Sequence, residues 1–481
     1  MAIKKFTILH SNDMHGDFLA EIGGKPGQTI GGLALLSAYI NKVRSEEKNV
    51  LYVISGDMVQ GSLIDTEYKG ISTIEIMNYL APDVVALGNH EFDYGLPHLL
   101  FLEKMANFPI VNANLYIKNY GRRLMNPYKI IKKDGFEILF TGIITEKVID
   151  SITQDKLIGS FISLEEASSE VGKICTAYKN DDIDLTILLT HIGFESDKQL
   201  ASMLKPEWGV DLIIGGHSHT LLTTPEKINN ILITQAGTST NQVGRYDIVV
   251  DDATNSVVDY QWQLVPITSD IVAPDQKLLD FIQSFKNEVD TKYSAILTKL
   301  SSELTHPQRE IETSIGNLIA DAFAYQSQAD IALVGSGSIR IKQLGPVVTL
   351  NDLMCCFPYN DSCQKITITG HQLKRIFARF MRVENRNNEG ECYQVSTGVK
   401  AVYTDHLVSL SLNQQPIVDT QTYTICLQGY HFHNAVDYLD LTDIISSKVV
   451  STSAQDLLID YLREHQNLSS QVEGRLTYSS S

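Results

Sequence analysis

The sequence predicts an α/β domain followed by a mixed α+β domain. Short β-branched runs alternate with amphipathic segments over the first half. One long stretch at helical spacing follows, and helix and strand patterns then mix to the end. At 481 residues the chain is too long for one ordinary core. These observations assign residues 1–266 to the first domain, 267–300 to a linker with a bridging helix, and 301–478 to the second domain.

In order, Phe6 to His10, Val50 to Ile54, Val84 to Leu87, Ile138 to Gly142, Leu185 to Leu189 and Leu212 to Ile214 read as buried strands. Gly32 to Val43 and Leu164 to Tyr178 read as helices between them, and this alternation implies a sheet covered by helices. Ile231 to Gln235 and Tyr246 to Val250 look like antiparallel strands that close the domain by about Pro266. Ala273 to Leu300 reads as one helix. Pro274 and Asp275 suit its start, and Leu278, Leu279, Ile282, Phe285 and Val289 keep helical spacing. The second domain mixes helices (Ile315 to Gln326, Gly370 to Arg382) with strands (Ile331 to Val334, Ala401 to Tyr403, Tyr423 to Leu427). Ser479 to Ser481 read as a frayed end.

Composition narrows the function classes. A hydrophobic share of 43% and a charged share of 20% are those of a globular protein. No run approaches the ~18 apolar residues of a membrane span. A formal net charge of −18 argues against a nucleic acid polymer as partner, since such a face is basic. It leaves room for a small phosphorylated substrate, because bound divalent metals reverse the local field. Cys175, Cys355, Cys356, Cys363, Cys392 and Cys426 form no CxxC pair, so buried free thiols in a reducing compartment are expected. Met1 to Phe6 lacks the apolar stretch of a secretory signal, which predicts a cytoplasmic protein; the alternative is an exported one whose leader is missing. The chain is expected to act as a monomer or homodimer.

The first half carries the chemistry. Five apolar strands each run into Asp, Asn or His: Asp13-Met14-His15, Gly56-Asp57, Gly88-Asn89-His90-Glu91, Thr190-His191 and Gly215-Gly216-His217-Ser218-His219. Ligands collect at the carboxyl ends of strands in open α/β sheets, so the blocks point to one place. Carboxylate, amide and imidazole donors without thiolate suit Zn, Mn, Fe or Co and argue against a structural zinc cage. The set is large enough for two metals, which can share a carboxylate. A lone His after a strand is usually a polar loop residue; the repetition of the pattern makes the difference. His98, His306, His371, His406 and His465 lack that support and read as surface or capping residues, while His10 reads as packing.

With Ile8 to Gly16, Ser55-Gly56-Asp57, Gly88 to Asp93, Leu189-Thr190-His191 and Gly215 to His219 taken together, the first half resembles the calcineurin-like metallophosphoesterases. The whole chain resembles the 5′-nucleotidase family, which adds a C-terminal substrate-binding domain. The resemblance implies a four-layer α/β/β/α sandwich joined by a helix to the α+β domain. It implies one metal on Asp13, His15, Asp57 and His219, and a second on Asp57, Asn89, His191 and His217. It assigns His90 to transition-state charge, with Asp93 as its dyad partner; an N-cap role is the alternative for Asp93. In the second domain it implies substrate contacts at Arg309, at Gly337 and Arg340 in Gly335 to Arg340, and at base-stacking Tyr359 and Tyr430. Surface ion pairs are the alternative for the arginines, and core packing for the tyrosines. The block departs from the family pattern: Gly335 stands where relatives that cleave nucleotides carry Asn, Ser336 and Ser338 replace glycines, and His431 to Asp437 replace a glycine- and Asp-bearing loop. The implied reaction is hydrolysis of a 5′-nucleotide by a metal-bridging hydroxide, with the domains rotating about the Ala273 to Leu300 helix. The alternatives are a cyclic-nucleotide diesterase, a nucleotide-sugar or dinucleotide pyrophosphatase, a sugar phosphatase, and, more remotely, a non-catalytic nucleotide or anion sensor.

Overall fold

The computed structural model describes residues 3–117, 121–145, 160–161, 163–386 and 390–478. The expected frayed end at Ser479 to Ser481 lies outside them. The chain forms two compact units, Met1–Val289 and Asp290–Ser481. The division falls inside the helix Gln276–Tyr293.

The first unit contains two six-stranded sheets. Ile3–Ser11 lies parallel to Val50–Ser55, which is followed by Val84–Ala86 and Ile110–Val111; on its other side it pairs antiparallel with Gln242–Asp251, which pairs antiparallel with the edge strand Ser256–Pro266. In the other sheet Phe136–Ile144, Leu185–His191, Leu212–Ile214 and Ile231–Thr234 run parallel, edged by Tyr128–Lys133 and Glu226–Ile228. Strands buried on both faces need continuous apolar runs, which explains why Val50–Ser55 and Leu185–His191 are buried at every residue. The inward faces meet in one core that includes Ile8, Val53, Phe140, Ile187, Ile214 and Ile248. Helices cover the outer face of the second sheet: Val171 and Ile174 of Leu164–Ala177 and Leu200 of Phe194–Met203 pack with Leu139, Leu188 and Ile213. Ser163 starts the first of these helices with a capping box to Glu166. His10 is fully buried, as expected, with its ring 5.3 Å from Trp262 in a stacked arrangement.

Three expectations need correction. Ile231–Thr234 pairs parallel with Leu212–Ile214 and antiparallel only with Glu226–Ile228. The stretch from Ala273 to Leu300 is not one helix: Asp275 Oδ1 accepts the Leu278 N–H at its start, the helix ends at Tyr293, and Ile296–Lys299 is a strand antiparallel to Val347–Thr349. β-Branched Ile296 and Thr298 favour that pairing over helix continuation. His306 is not on the surface; it is buried with Nδ1 2.8 Å from Oγ1 of Thr313, the residue that caps Ser314–Ser327.

In the second unit, Tyr393–Val395, Ile331–Gly335, Thr422–Gln428, Cys363–Thr369 and Ser446–Ser451 form a sheet in that order. A four-stranded sheet holds Gln415–Pro416, Leu407–Leu412, Val399–Tyr403 and Leu476–Tyr478. Leu373, Ile376 and Phe377 of Gly370–Phe380 bury one helical face in the core beneath them.

Candidate active site

The strand-end blocks of the first unit do converge. Asp13, Asp57 and Asn89 follow parallel strands of one sheet, and His191, His217 and His219 end or follow parallel strands of the other. The chain turns sharply at most of these blocks. Asp13, His15, Asp57, His217 and His219, five of the seven expected ligands, have positive φ between 48° and 79°. Such backbone is rare outside glycine and is retained where surrounding structure holds it.

Three overlapping groups, Asp13/His15/His219, His15/Asp57/His90 and Asp13/Asp57/His191, each present ligand atoms within 4.8 Å of one another. His15 Nε2 lies 3.0 Å from His219 Nε2, and His191 Nε2 lies 3.1 Å from Asp57 Oδ2. Asn89 Oδ1 stands 2.8 Å from His217 Nδ1 and 3.2 Å from His191 Nε2, which ties the remaining expected ligands to the same place. Two carboxylates at 0% and 2% exposure among four imidazoles need a positive partner, and the donor types suit a divalent cation of the Zn or Mn kind. Asp57 and His191 also offset each other's charge. Burial opposes both charges, yet mutual attraction holds Asp57 below the usual carboxylate range and His191 above the usual imidazole one.

His90 is also within reach of this group, but its Nδ1 faces Asp93 Oδ2 at 2.7 Å. Asp93 is not the N-cap of the following helix: Gly95 holds that position for Leu96–Met105 without side-chain help. The hydrogen bond to Asp93 raises the His90 pKa more than its partial burial lowers it. The His90 N–H in turn donates to Asp57 Oδ1 at 2.9 Å.

Sequence reasoning missed the residues that hold these groups. Glu91 is buried and accepts the N–H groups of Gly88 (2.6 Å), Met58 (2.8 Å) and Asp57 (3.1 Å). Burial and the Asp57 charge push its carboxyl up to about 7. Asn12 donates to Asp13 Oδ2 at 2.6 Å and to the Gly237 carbonyl, while its Oδ1 accepts the Ala236 N–H. Asp197, fully buried, accepts from Thr190 Oγ1 and Gln235 Nε2 behind His191. Both Glu91 and Asn12 lie inside the motifs; Asp197 had no local signal.

In the second unit Gly337 sits in the turn Ser336–Ser338 after Ile331–Gly335. Arg340 Nη1 donates to the Gly337 carbonyl at 3.1 Å, and the Gly337 N–H donates to Glu391 Oε1 at 3.1 Å. Arg309 Nη2 donates to the Gly390 carbonyl and lies 3.6 Å from Glu391 Oε1, so it does form an ion pair. Tyr359 and Tyr430 are 47% and 55% exposed, which removes the core-packing alternative for both. The Tyr430 hydroxyl lies 3.1 Å from that of Tyr438, and its N–H donates to Asp361. Gly335 has a structural cause: a Cβ there would fall 2.1 Å from Nε2 of buried His431, whose Nδ1 lies 3.0 Å from the Tyr393 hydroxyl.

Comparison with known proteins agrees with this geometry. Residues 6–221 match the model of the calcineurin-like phosphoesterases, and residues 294–440 match that of the 5′-nucleotidase C-terminal domain. A 5′-nucleotidase-related protein of Glossina morsitans morsitans is 28% identical, over 98% of this chain and 94% of its own length. A snake venom 5′-nucleotidase of Crotalus adamanteus is 27% identical, over 99% and 89%. The crystal structure of a 5′-nucleotidase precursor from Thermus thermophilus superposes with a TM-score of 0.63 at 22% identity, over 99% of both chains, and so shares the fold. Among the described residues no helix is long and apolar enough to cross a membrane. The chain belongs to the 5′-nucleotidase family, a calcineurin-like phosphoesterase domain followed by a 5′-nucleotidase C-terminal domain, and is a metal-dependent hydrolase of phosphoric esters.

Proposed function

We propose that the chain hydrolyses a 5′-nucleotide to a nucleoside and phosphate with two divalent metal ions, drawn from Mn, Zn, Fe and Co. The observation that carries this reading is the convergence of two buried carboxylates, Asn89 and four imidazoles beside the His90–Asp93 pair. Asp13, His15, Asp57 and His219 would hold one ion, and Asp57, Asn89, His191 and His217 the other. When bound, such ions lower the pKa of water and draw charge from phosphoryl oxygens. The protein's own part is positional. Glu91 and Asn12 fix Asp57 and Asp13, and His90, held by Asp93, donates to the phosphoryl oxygen that gains charge. The second unit recognises the remainder of the substrate through Arg309, Arg340, Gly337 and the exposed Tyr359 and Tyr430, whose faces suit a planar base.

A different phosphate ester is the second reading, favoured by Gly335, which leaves no side chain to select a base where His431 fills the space. A panel of 5′-nucleotides, cyclic nucleotides, dinucleotides and sugar phosphates, run with Mn²⁺, Zn²⁺, Co²⁺ and Mg²⁺ in parallel, separates the two. The 5′-nucleotides are expected to give the highest kcat/KM, and Asp57→Ala to abolish turnover. Turnover retained by Asp57→Ala sinks the metal assignment, and a better ester of another class sinks the nucleotide. Six free thiols support a reducing, cytoplasmic location.

A further inference from the structure

Glu391 occupies the place where the second unit would hold an anion. Its Oε1 accepts the Gly337 N–H at 3.1 Å and the Cys392 N–H at 3.0 Å, and it stands 3.6 Å from Arg309 Nη2. A turn N–H and an arginine around one carboxylate is the way proteins take up carboxylate and phosphate groups of ligands. Here the anion belongs to the chain itself. It is not sealed away: its side chain is 17% exposed and that of Arg309 32%. Gly337 leaves room for it, since a Cβ there would lie 3.1 Å from Glu391 Oε2. Among the described residues Arg340 has no carboxylate partner, and its Nη1 donates to the Gly337 carbonyl of that turn.

The consequence concerns how many phosphoryl groups a substrate carries. In a monophosphate ester the phosphoryl group that is cleaved holds all the charge, and the remainder is neutral. A diphosphate or a dinucleotide brings a second anionic group in that remainder. To reach Arg309 and the Gly337 N–H, that group must displace Glu391 from them, which disfavours binding.

We propose that Glu391 is a specificity-determining residue, a built-in anion on Arg309 and the Gly337 N–H that turns the enzyme toward monophosphate esters and against substrates with a second phosphoryl group. This rests on the reading that the second unit recognises the part of the substrate that is not cleaved. The metal-loaded enzyme is assayed on two pairs of substrates: AMP against ADP, and p-nitrophenyl phosphate against inorganic pyrophosphate, which lacks a nucleoside. Glu391→Gln keeps an acceptor for Gly337 and removes the charge. It is expected to raise the diphosphate-to-monophosphate ratio of kcat/KM by roughly tenfold in both pairs. In an Arg309→Gln background the gain disappears, because the cation that Glu391 releases is Arg309. Glu391→Ala replaces Glu391→Gln if melting shows the latter unfolded. An unchanged ratio in a folded variant overturns the proposal, as does a gain that persists without Arg309. If no nucleotide is cleaved but the second pair shifts, the nucleotide reading fails and this one stands. If nucleotides are cleaved and neither ratio moves, this one fails alone.

Discussion

Asp93 Oδ2 lies 2.7 Å from His90 Nδ1, three residues away, and the pair faces the carboxylate and imidazole cluster through His90. A carboxylate in that position fixes the tautomer of the ring and favours its charged form. His90→Ala is expected to lower kcat by about 10²–10⁴-fold. Asp93→Asn leaves the ring in place and should lose less, roughly tenfold to a hundredfold in kcat. Metal content, measured on the same samples, should stay at the wild-type level for both, which separates this pair from the ligands.

Glu91 is the residue whose loss should be most informative among those that touch no substrate. Three backbone N–H groups end on its carboxylate, from both sides of the Asp57 turn and from Gly88. Glu91→Ala strands all three in a buried place. Metal affinity is expected to fall by about 10–100-fold, as for other groups that orient a ligand. Glu91→Gln keeps acceptor capacity and should fall less. Calorimetric metal titration of the metal-free protein reads both.

Glycine spacing gives a sharp contrast. A Cβ on Gly88 would meet Asp57 Oδ1 at 2.2 Å and the Asp57 nitrogen at 2.3 Å. Gly88→Ala must therefore move Asp57, and turnover should fall with bound metal. A Cβ on Gly24 meets nothing within 4 Å, and its backbone is not left-handed. Gly24→Ala should leave metal content, turnover and melting temperature unchanged.

The proposed ligands were legible because their signal is local. They lie in short blocks that end or follow apolar runs, with a glycine beside His15, Asp57, Asn89 and His217, and strand topology does the gathering. What escaped was set by contacts distant in sequence. The Asp197 carboxylate is tied to the site through Thr190 and Gln235. Ile296–Lys299 reads as the tail of a helix until Val347–Thr349 pairs with it. Gly335 reads as a lost donor until His431, 96 positions on, is seen to fill its Cβ space. Glu391 follows no motif at all, and only the fold brings it to Arg309 and Gly337.

His10 gives the fold an acid weakness of its own. The ring is fully buried, stacks on Trp262, and neither nitrogen has a hydrogen-bond partner among the described residues. Burial pushes its pKa down to about 3 from the ordinary 6.5. Between those values the unfolded chain binds a proton that the folded one does not. Stability is therefore fully present above about pH 6.5 and is lost as the pH falls toward 3, at up to about 1.4 kcal/mol per pH unit. Replacing the ring with one that cannot titrate removes this term. His10→Phe is expected to shrink the loss of unfolding free energy between pH 6.5 and pH 4 by about 3 kcal/mol, whatever it does to stability at neutral pH. Urea unfolding of both proteins at the two pH values, in chelator so that metal loss does not contribute, checks it. An equal loss in wild type and variant would mean that His10 reaches solvent or a partner when it is charged.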